Sequence, residues 1–203
     1  MKFMPAMYEA LVEIDDACCA TLRFNRSGWN VLHGDVTQFN GHPYHGVDLL
    51  AGGVPCPPFS VAGKQLGAKD ERDLFPQALR LADEIRPRAI MLENVRGFLD
   101  PSFEGYRKRL FQNFRKMGYT PDIKLFHASD HGVPQLRPRV VVIALRSDDA
   151  EHFSWPEKAA GPSPSVGDTL VDLMSENGWR HAETWAAGAQ SVAPTIVGGS
   201  KKH

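Results

Sequence analysis

Several absences narrow the reading of this sequence before any motif is considered. No apolar run approaches the roughly 20 residues needed to cross a bilayer, and Met1 to Ala10 lacks the basic-then-apolar order of a secretion signal. A membrane role is therefore not expected, and a cytoplasmic location is. Cysteine is scarce: Cys18, Cys19 and Cys56 cannot all pair, adjacent cysteines do not readily bridge, and no Cys-x-x-Cys spacing occurs. This excludes a disulfide framework and a thiolate metal site, and it predicts reduced thiols. A basic excess is also missing. With 23 Lys and Arg against 24 Asp and Glu, the net charge is -1, so a domain that holds nucleic acid by bulk charge alone is excluded. Finally, Met1 to Ala10 contains no glycine.

The rest of the composition is ordinary for a globular chain. At 203 residues, 42% hydrophobic and 23% charged, the chain suits one core-forming domain with part of a second. Apolar runs alternate with helix-period segments. Tyr8 to Ile14 reads as a strand, Asp15 to Asn25 as a helix and Trp29 to Leu32 as a strand, which is a βαβ pattern. Val47 to Ala51 is a further strand closed by Gly52-Gly53, followed by a polar loop to about Arg72.

Leu74, Ala78, Leu81, Ala82 and Ile85 then recur at helical spacing up to Pro87, and Ala89 to Leu92 forms a buried strand ending at Glu93. Phe103, Tyr106, Leu110, Phe114 and Met117 mark another helix, closed by Gly118. Lys124 to His127 and Val140 to Leu145 complete the strands. The order predicts an α/β fold with a doubly wound, mostly parallel sheet, whose ligands sit beyond the carboxyl ends of the strands. After Arg146 the proline-rich stretch reads as a linker with one short helical candidate, Val166 to Met174.

Three groups fall at strand ends. Cys56 lies in Gly-Gly-Val-Pro-Cys-Pro-Pro-Phe-Ser, where prolines at positions 55, 57 and 58 restrict the backbone around the thiol. Glu93, in Glu93-Asn94-Val95, leaves its strand on the same expected edge, either as a site carboxylate or as an exposed capping acid. Arg137 and Arg139 precede the last strand, and period-two geometry puts them on one face. They suit a carbonyl-rich or anionic ligand, or form a solvated strand entrance. Cys18 and Cys19 read as packing residues, and His42 and His45 as part of a surface turn rather than metal ligands.

Together, the Pro-Cys-x-Pro-Phe-Ser loop, the Glu-Asn-Val strand end and the Gln-x-Arg-x-Arg segment resemble the bacterial DNA cytosine-5 methyltransferase family. The resemblance runs from about Tyr8 to Arg146, with a weaker match over Ser191 to His203. Pro57 departs from the glutamine common at that position. The resemblance implies a Rossmann-like methyltransferase fold that uses S-adenosylmethionine on double-stranded DNA, with a restriction endonuclease as a possible companion. It implies Cys56, Glu93, Arg137 and Arg139 as the catalytic set. Cys56 would attack carbon 6 of a flipped cytosine, Glu93 would engage N3 and the exocyclic amine, and the arginines would hold O2.

By the same resemblance, the polar loop with Gly63 and Gly67 as hinges closes over DNA, with Lys64, Lys69 and Arg72 meeting phosphates, unless it is an ordinary surface loop. Glu13 would take the ribose hydroxyls and Ile14 the adenine face, while Asp35 would accept from the adenine amine or serve as a turn cap. Val36 and Pro55 complete that side. Family members begin with a Phe-x-Gly-x-Gly segment that this chain does not display, so the expectation is a catalytic domain over 1–150 lacking its first strand and glycine loop. Residues 151–203 would then be a linker and the start of an incomplete target recognition region. The alternatives are an inactive fragment with residual binding, or a cytosine-5 methyltransferase acting on transfer RNA.

Overall fold

The computed structural model describes residues 8–55 and 73–196. The chain opens with a βαβ unit: β1 (Leu11–Glu13), α1 (Asp16–Asn25) and β2 (Val31–His33). The two strands are parallel, with Leu11 opposite Val31 and Glu13 opposite His33. α1 starts where it does because the Asp15 carboxylate accepts from the Cys18 N–H, satisfying one of the free donors of the first turn. Arg23 in its last turn donates to the Val31 carbonyl, tying helix to strand. Cys19 is buried as expected of a packing residue, but Cys18 is exposed, because adjacent helical positions point about 100° apart.

Two 3-10 turns, Val36–Gln38 and His42–Tyr44, lead to β3 (Leu49–Gly53). Next come α2 (Phe75–Ile85), β4 (Ala89–Val95), α3 (Glu104–Lys116), β5 (Tyr119–His127) and β6 (Pro138–Arg146). β3, β4, β6 and β5 form a four-stranded sheet in that order. β3 and β4 are parallel, and β6 is antiparallel to both β4 and β5. Hence β3, β4 and β5 share a direction and β6 alone is reversed. The β1–β2 pair forms its own ladder. The result is the expected α/β fold with a sheet whose strands run mostly in one direction.

Alternation along the strands sorts the core. Ile90, Leu92, Val140, Val142 and Ala144 lie on the face packed by α2 and α3, against Phe75, Ala78, Ala82, Leu110 and Phe114. Phe75, Phe98 and Tyr106 add a stacked and edge-on aromatic cluster, with Phe75 and Phe98 ring centres 5.0 Å apart. On the opposite face Leu49, Met91 and Val95 remain exposed.

Strand limits differ from expectation in a systematic way. β4 continues past Glu93 to Val95, and β5 begins at Tyr119 rather than Lys124, because β6 pairs with β4 through seven residues and with β5 through all nine. Pro121 is tolerated in β5 because that strand is at the edge of the sheet. Residues after Arg146 are also more helical than the proline content suggested. α4 (Ser147–Ala150), α5 (Val166–Ser175) and α6 (Ala182–Gly188) form, and α5 carries a capping box between Ser165 and Asp168. α6 was missed because its pairing with α5 depends on one small residue: a Cβ on Gly167 would collide with the Ala186 carbonyl.

Candidate active site

The carboxyl end of β4 and the start of β6 meet at one point. Val95 pairs with Arg139 and Glu93 with Val141, so Glu93 and Arg139 are diagonal neighbours on one face. Their side chains close the gap: Arg139 Nε lies 2.6 Å from Glu93 Oε1. The pair is partly exposed, 25% for Arg139 and 45% for Glu93, so both groups remain open to a ligand. Arg139 is further oriented by donating from Nη1 to the Pro138 carbonyl at 2.9 Å.

Asn94 points the other way, into the core, and is 3% exposed. Its Nδ2 donates to the Val54 carbonyl at 2.9 Å, its Oδ1 accepts from the Val95 N–H, and the Val54 N–H donates to the Glu93 carbonyl at 3.2 Å. Strand alternation therefore divides the Glu-Asn-Val segment between two tasks. Glu93 stands beside Arg139 on the exposed face, and Asn94 ties down Val54, two residues before Cys56 in the sequence. A polar residue on the buried face of a strand is the signal that could have revealed Asn94, since such a group is retained only where it finds a partner. Cys56 follows Pro55 in the chain and lies outside the described residues, as do Gly63, Lys64, Gly67, Lys69 and Arg72.

Arg137 does not join Arg139. β6 begins at Pro138, and Arg137 has a left-handed backbone with φ of 29°. Period-two alternation does not extend through such a residue, so the expected shared face is not formed, and Arg137 is exposed.

Glu13, Ile14, Asp35 and Val36, expected from the sequence to meet the methyl donor, gather at the carboxyl ends of β1 and β2. Glu13 Oε1 accepts from the Asp15 N–H at 2.8 Å, and the Glu13 carbonyl accepts from the Gly34 N–H at 2.9 Å. Ile14 is 66% exposed, and its carbonyl lies 3.1 Å from His33 Nε2. Asp35 is exposed, and one oxygen accepts from the Thr37 N–H at 2.8 Å, capping the turn at 36–38. That hydrogen bond holds its carboxyl below the usual carboxylate range. The turn-capping alternative is thus realised. Val36 is half-buried and Pro55 is exposed. His42 and His45 belong to a turn, and among the described residues no group of three His, Cys, Asp or Glu is placed to hold a metal ion.

Two acids at neighbouring strand ends, and a carboxylate paired to a guanidinium beside the Val54-Pro55 segment that precedes Cys56 in the sequence, fit one family. A family profile for C-5 cytosine-specific DNA methylases matches residues 6–201. This chain belongs to that family.

Among its relatives, the chain is 57% identical over 188 residues to the Type II methyltransferase M.NgoMIV of Neisseria gonorrhoeae, covering 93% of this chain and 60% of that protein. It is 56% identical over 195 residues to the Type II methyltransferase M.NaeI of Lentzea aerocolonigenes, covering 95% of this chain and 47% of that protein. This C-5 cytosine methylase chain therefore spans about half the length of the curated relatives it matches. Solved structures agree on the fold. A prophage-encoded DNA modification methyltransferase from Escherichia coli superposes with a TM-score of 0.63 at 24% identity, covering 79% of this chain and 47% of that one. The Dnmt2 methyltransferase of S. pombe gives 0.59 at 21% identity, covering 88% and 60%.

Proposed function

We propose that this protein supplies the base-modifying site of a DNA cytosine-5 methyltransferase, transferring a methyl group from S-adenosylmethionine to carbon 5 of a flipped cytosine in double-stranded DNA. The observation that carries the reading is the Glu93–Arg139 pair near the carboxyl end of β4, with Val54, two residues before Cys56 in the sequence, hydrogen-bonded to Glu93 and Asn94. A carboxyl group faces N3 and the exocyclic amine of cytosine, and a guanidinium faces the O2 carbonyl. Cys56 is the nucleophile by its motif.

Addition of its thiolate to carbon 6, with N3 protonated at Glu93, turns carbon 5 into an enamine carbon able to attack an electrophile. S-adenosylmethionine supplies that electrophile as a methyl sulfonium. Loss of the carbon 5 proton to a water base expels the thiolate, and return of the N3 proton to the Glu93 carboxylate restores the neutral aromatic ring. Arg139, near the ring oxygen, offsets the negative charge that accumulates during addition. The donor side fits the same cofactor in its chemistry: Glu13 offers acceptors for a ribose diol and Asp35 an acceptor for an exocyclic amine, both at the carboxyl ends of parallel strands.

A Type II restriction endonuclease is the companion this reading proposes, since M.NgoMIV and M.NaeI carry that type in their names. Among the described residues no helix is long and apolar enough to cross a membrane. Action on DNA in the cytoplasm is proposed with the DNA substrate.

The test is transfer of a labelled methyl group from S-adenosylmethionine to duplex DNA, with a parallel attempt to trap the chain on DNA containing 5-fluorocytosine. Transfer and a covalent adduct are expected, with both falling at least ~10³-fold in Cys56→Ser. Transfer that survives the substitution, or methylation of transfer RNA instead of DNA, would overturn the proposal.

A further inference from the structure

Arg80 lies on α2, and it is the most heavily bonded guanidinium among the described residues. Its Nη2 donates to the Val36 carbonyl at 2.9 Å and its Nη1 to the Phe39 carbonyl at 2.9 Å. Its Nε donates to Gln77 Oε1 at 2.8 Å, and Nη1 also meets Glu84 Oε1 at 2.7 Å. Four of the five N–H donors of an arginine are accounted for in one rigid fork, two of them on the backbone of a different element.

Glu84 extends the clamp. Its second oxygen accepts from the Gly41 N–H at 2.7 Å, and the bonds from Arg80 and Gly41 hold its carboxyl below the ordinary glutamate range. Gly41 is itself buried against the helix: a Cβ there would lie 2.8 Å from Ile85 Cγ1 and 3.1 Å from Leu81 Cδ2, inside contact distance. Three independent features thus press the segment from Val36 to Gly41 onto α2. That segment continues directly from Asp35 and contains Val36, and its turn is the one Asp35 caps.

We infer that Arg80, seconded by Glu84, is a positioning residue for the methyl donor: it fixes the Val36–Gly41 backbone on α2 and so sets where Asp35 and Val36 present themselves to an adenine ring. The inference rests on the reading of Asp35 and Val36 as adenine-side residues. Two short 3-10 turns form too few internal hydrogen bonds to define one conformation, since each closes only a single turn. A fork reaching two carbonyls three residues apart in sequence supplies that definition from outside. Lysine cannot replace it, because an ammonium is a point charge on a flexible stem.

The experiment uses the 203-residue chain, with Arg80→Lys, Arg80→Ala, Gly41→Ala and Asp35→Asn as variants. Amide hydrogen exchange over 36–45 is measured without ligand, and S-adenosylmethionine binding is measured by calorimetry. In Arg80→Ala, and to a lesser degree in Arg80→Lys, exchange over 36–45 is expected to quicken about tenfold while β4 and β6 stay protected. The dissociation constant for S-adenosylmethionine is expected to rise about tenfold. Gly41→Ala should move both quantities in the same direction without touching the guanidinium.

Unchanged exchange over 36–45 in Arg80→Lys and Arg80→Ala would overturn the clamp. If Asp35→Asn weakens donor binding but the Arg80 variants do not, the positioning role fails and the adenine reading stands. If exchange quickens but neither Arg80→Ala nor Asp35→Asn alters donor binding, the adenine reading fails, and the donor role of Arg80 with it.

Discussion

The two halves of the proposed site, a base side at Glu93 and Arg139 and a donor side at Glu13 and Asp35, are built to different standards of rigidity. Glu93 and Arg139 sit on β4 and β6, both inner strands of a four-stranded sheet, with one face pressed on Phe75 and Phe114. Glu13 and Asp35 sit at the ends of three-residue strands in a two-stranded ladder whose helix buries one residue, Cys19. On the proposed function, the stiff side would hold two groups at hydrogen-bond precision around a flipped base, where a displacement of about 1 Å is costly to rate. The soft side takes its order from elsewhere, through Arg23 on Val31 and Arg80 on Val36 and Phe39. Packing fixes one half of the site, and guanidinium forks fix the other.

The sharpest way to break this comparison is to remove one phenylalanine from each side. Phe114→Ala empties a fully buried position under the four-stranded sheet and is expected to cost about 3–5 kcal/mol of unfolding free energy. Phe24→Ser on α1, where the ring is 89% exposed, is expected to change stability by less than about 0.5 kcal/mol. Denaturant titration of both variants decides it, and comparable losses would mean that the donor side has a core of its own.

Next in size is Glu93→Gln, which keeps the shape but removes the acid. Methyl transfer is expected to fall about 10²-fold with the dissociation constant for S-adenosylmethionine unchanged, a split that would confine Glu93 to the base side. Asn94→Ala leaves the Val54 carbonyl without its buried donor, and about 1–3 kcal/mol of stability should be lost, read by thermal melting. Asn94→Asp, placing a carboxylate against that carbonyl, should do no better.

The smallest expected effect is in acid. Asp35 has its carboxyl held below the ordinary range by the Thr37 N–H. A group with a depressed folded pKa contributes stability that is fully present above its unfolded value, about 3.9, and is lost as pH falls through the lower folded value. Wild-type melting temperatures should therefore decline across that window slightly more than those of Asp35→Asn. Parallel curves would show that the cap does not distinguish the two protonation states.

Much of this was readable in the amino-acid pattern, and the failures share a cause. Helices with a strong apolar stripe, such as α2 and α3, announced themselves to within a residue or two because their partner is the sheet itself. The carboxyl-end placement of Glu93, Glu13 and Asp35 followed from strand order. What escaped notice depended on the identity of a neighbour. The reach of β4 to Val95 depends on the length of β6, α6 depends on the missing side chain of Gly167, and the isolation of Arg137 from Arg139 depends on one left-handed backbone angle. Asn94 was in plain view within its motif, yet its inward orientation becomes meaningful only once Val54 is known to lie opposite.

The reversal of β6 has one more implication. In a sheet whose strands all run one way, only the segments that follow strands can reach the reactive edge, and those that precede them are free to vary in length. Because β6 runs backwards, its first residues arrive at that edge, and Arg139 is delivered by the connection at 128–137. Lengthening or shortening that connection would displace the guanidinium partner of Glu93, whereas the same change after Arg146, at the far end of the strand, would leave the pair in register. A single antiparallel strand thus turns an otherwise permissive linker into one of fixed length.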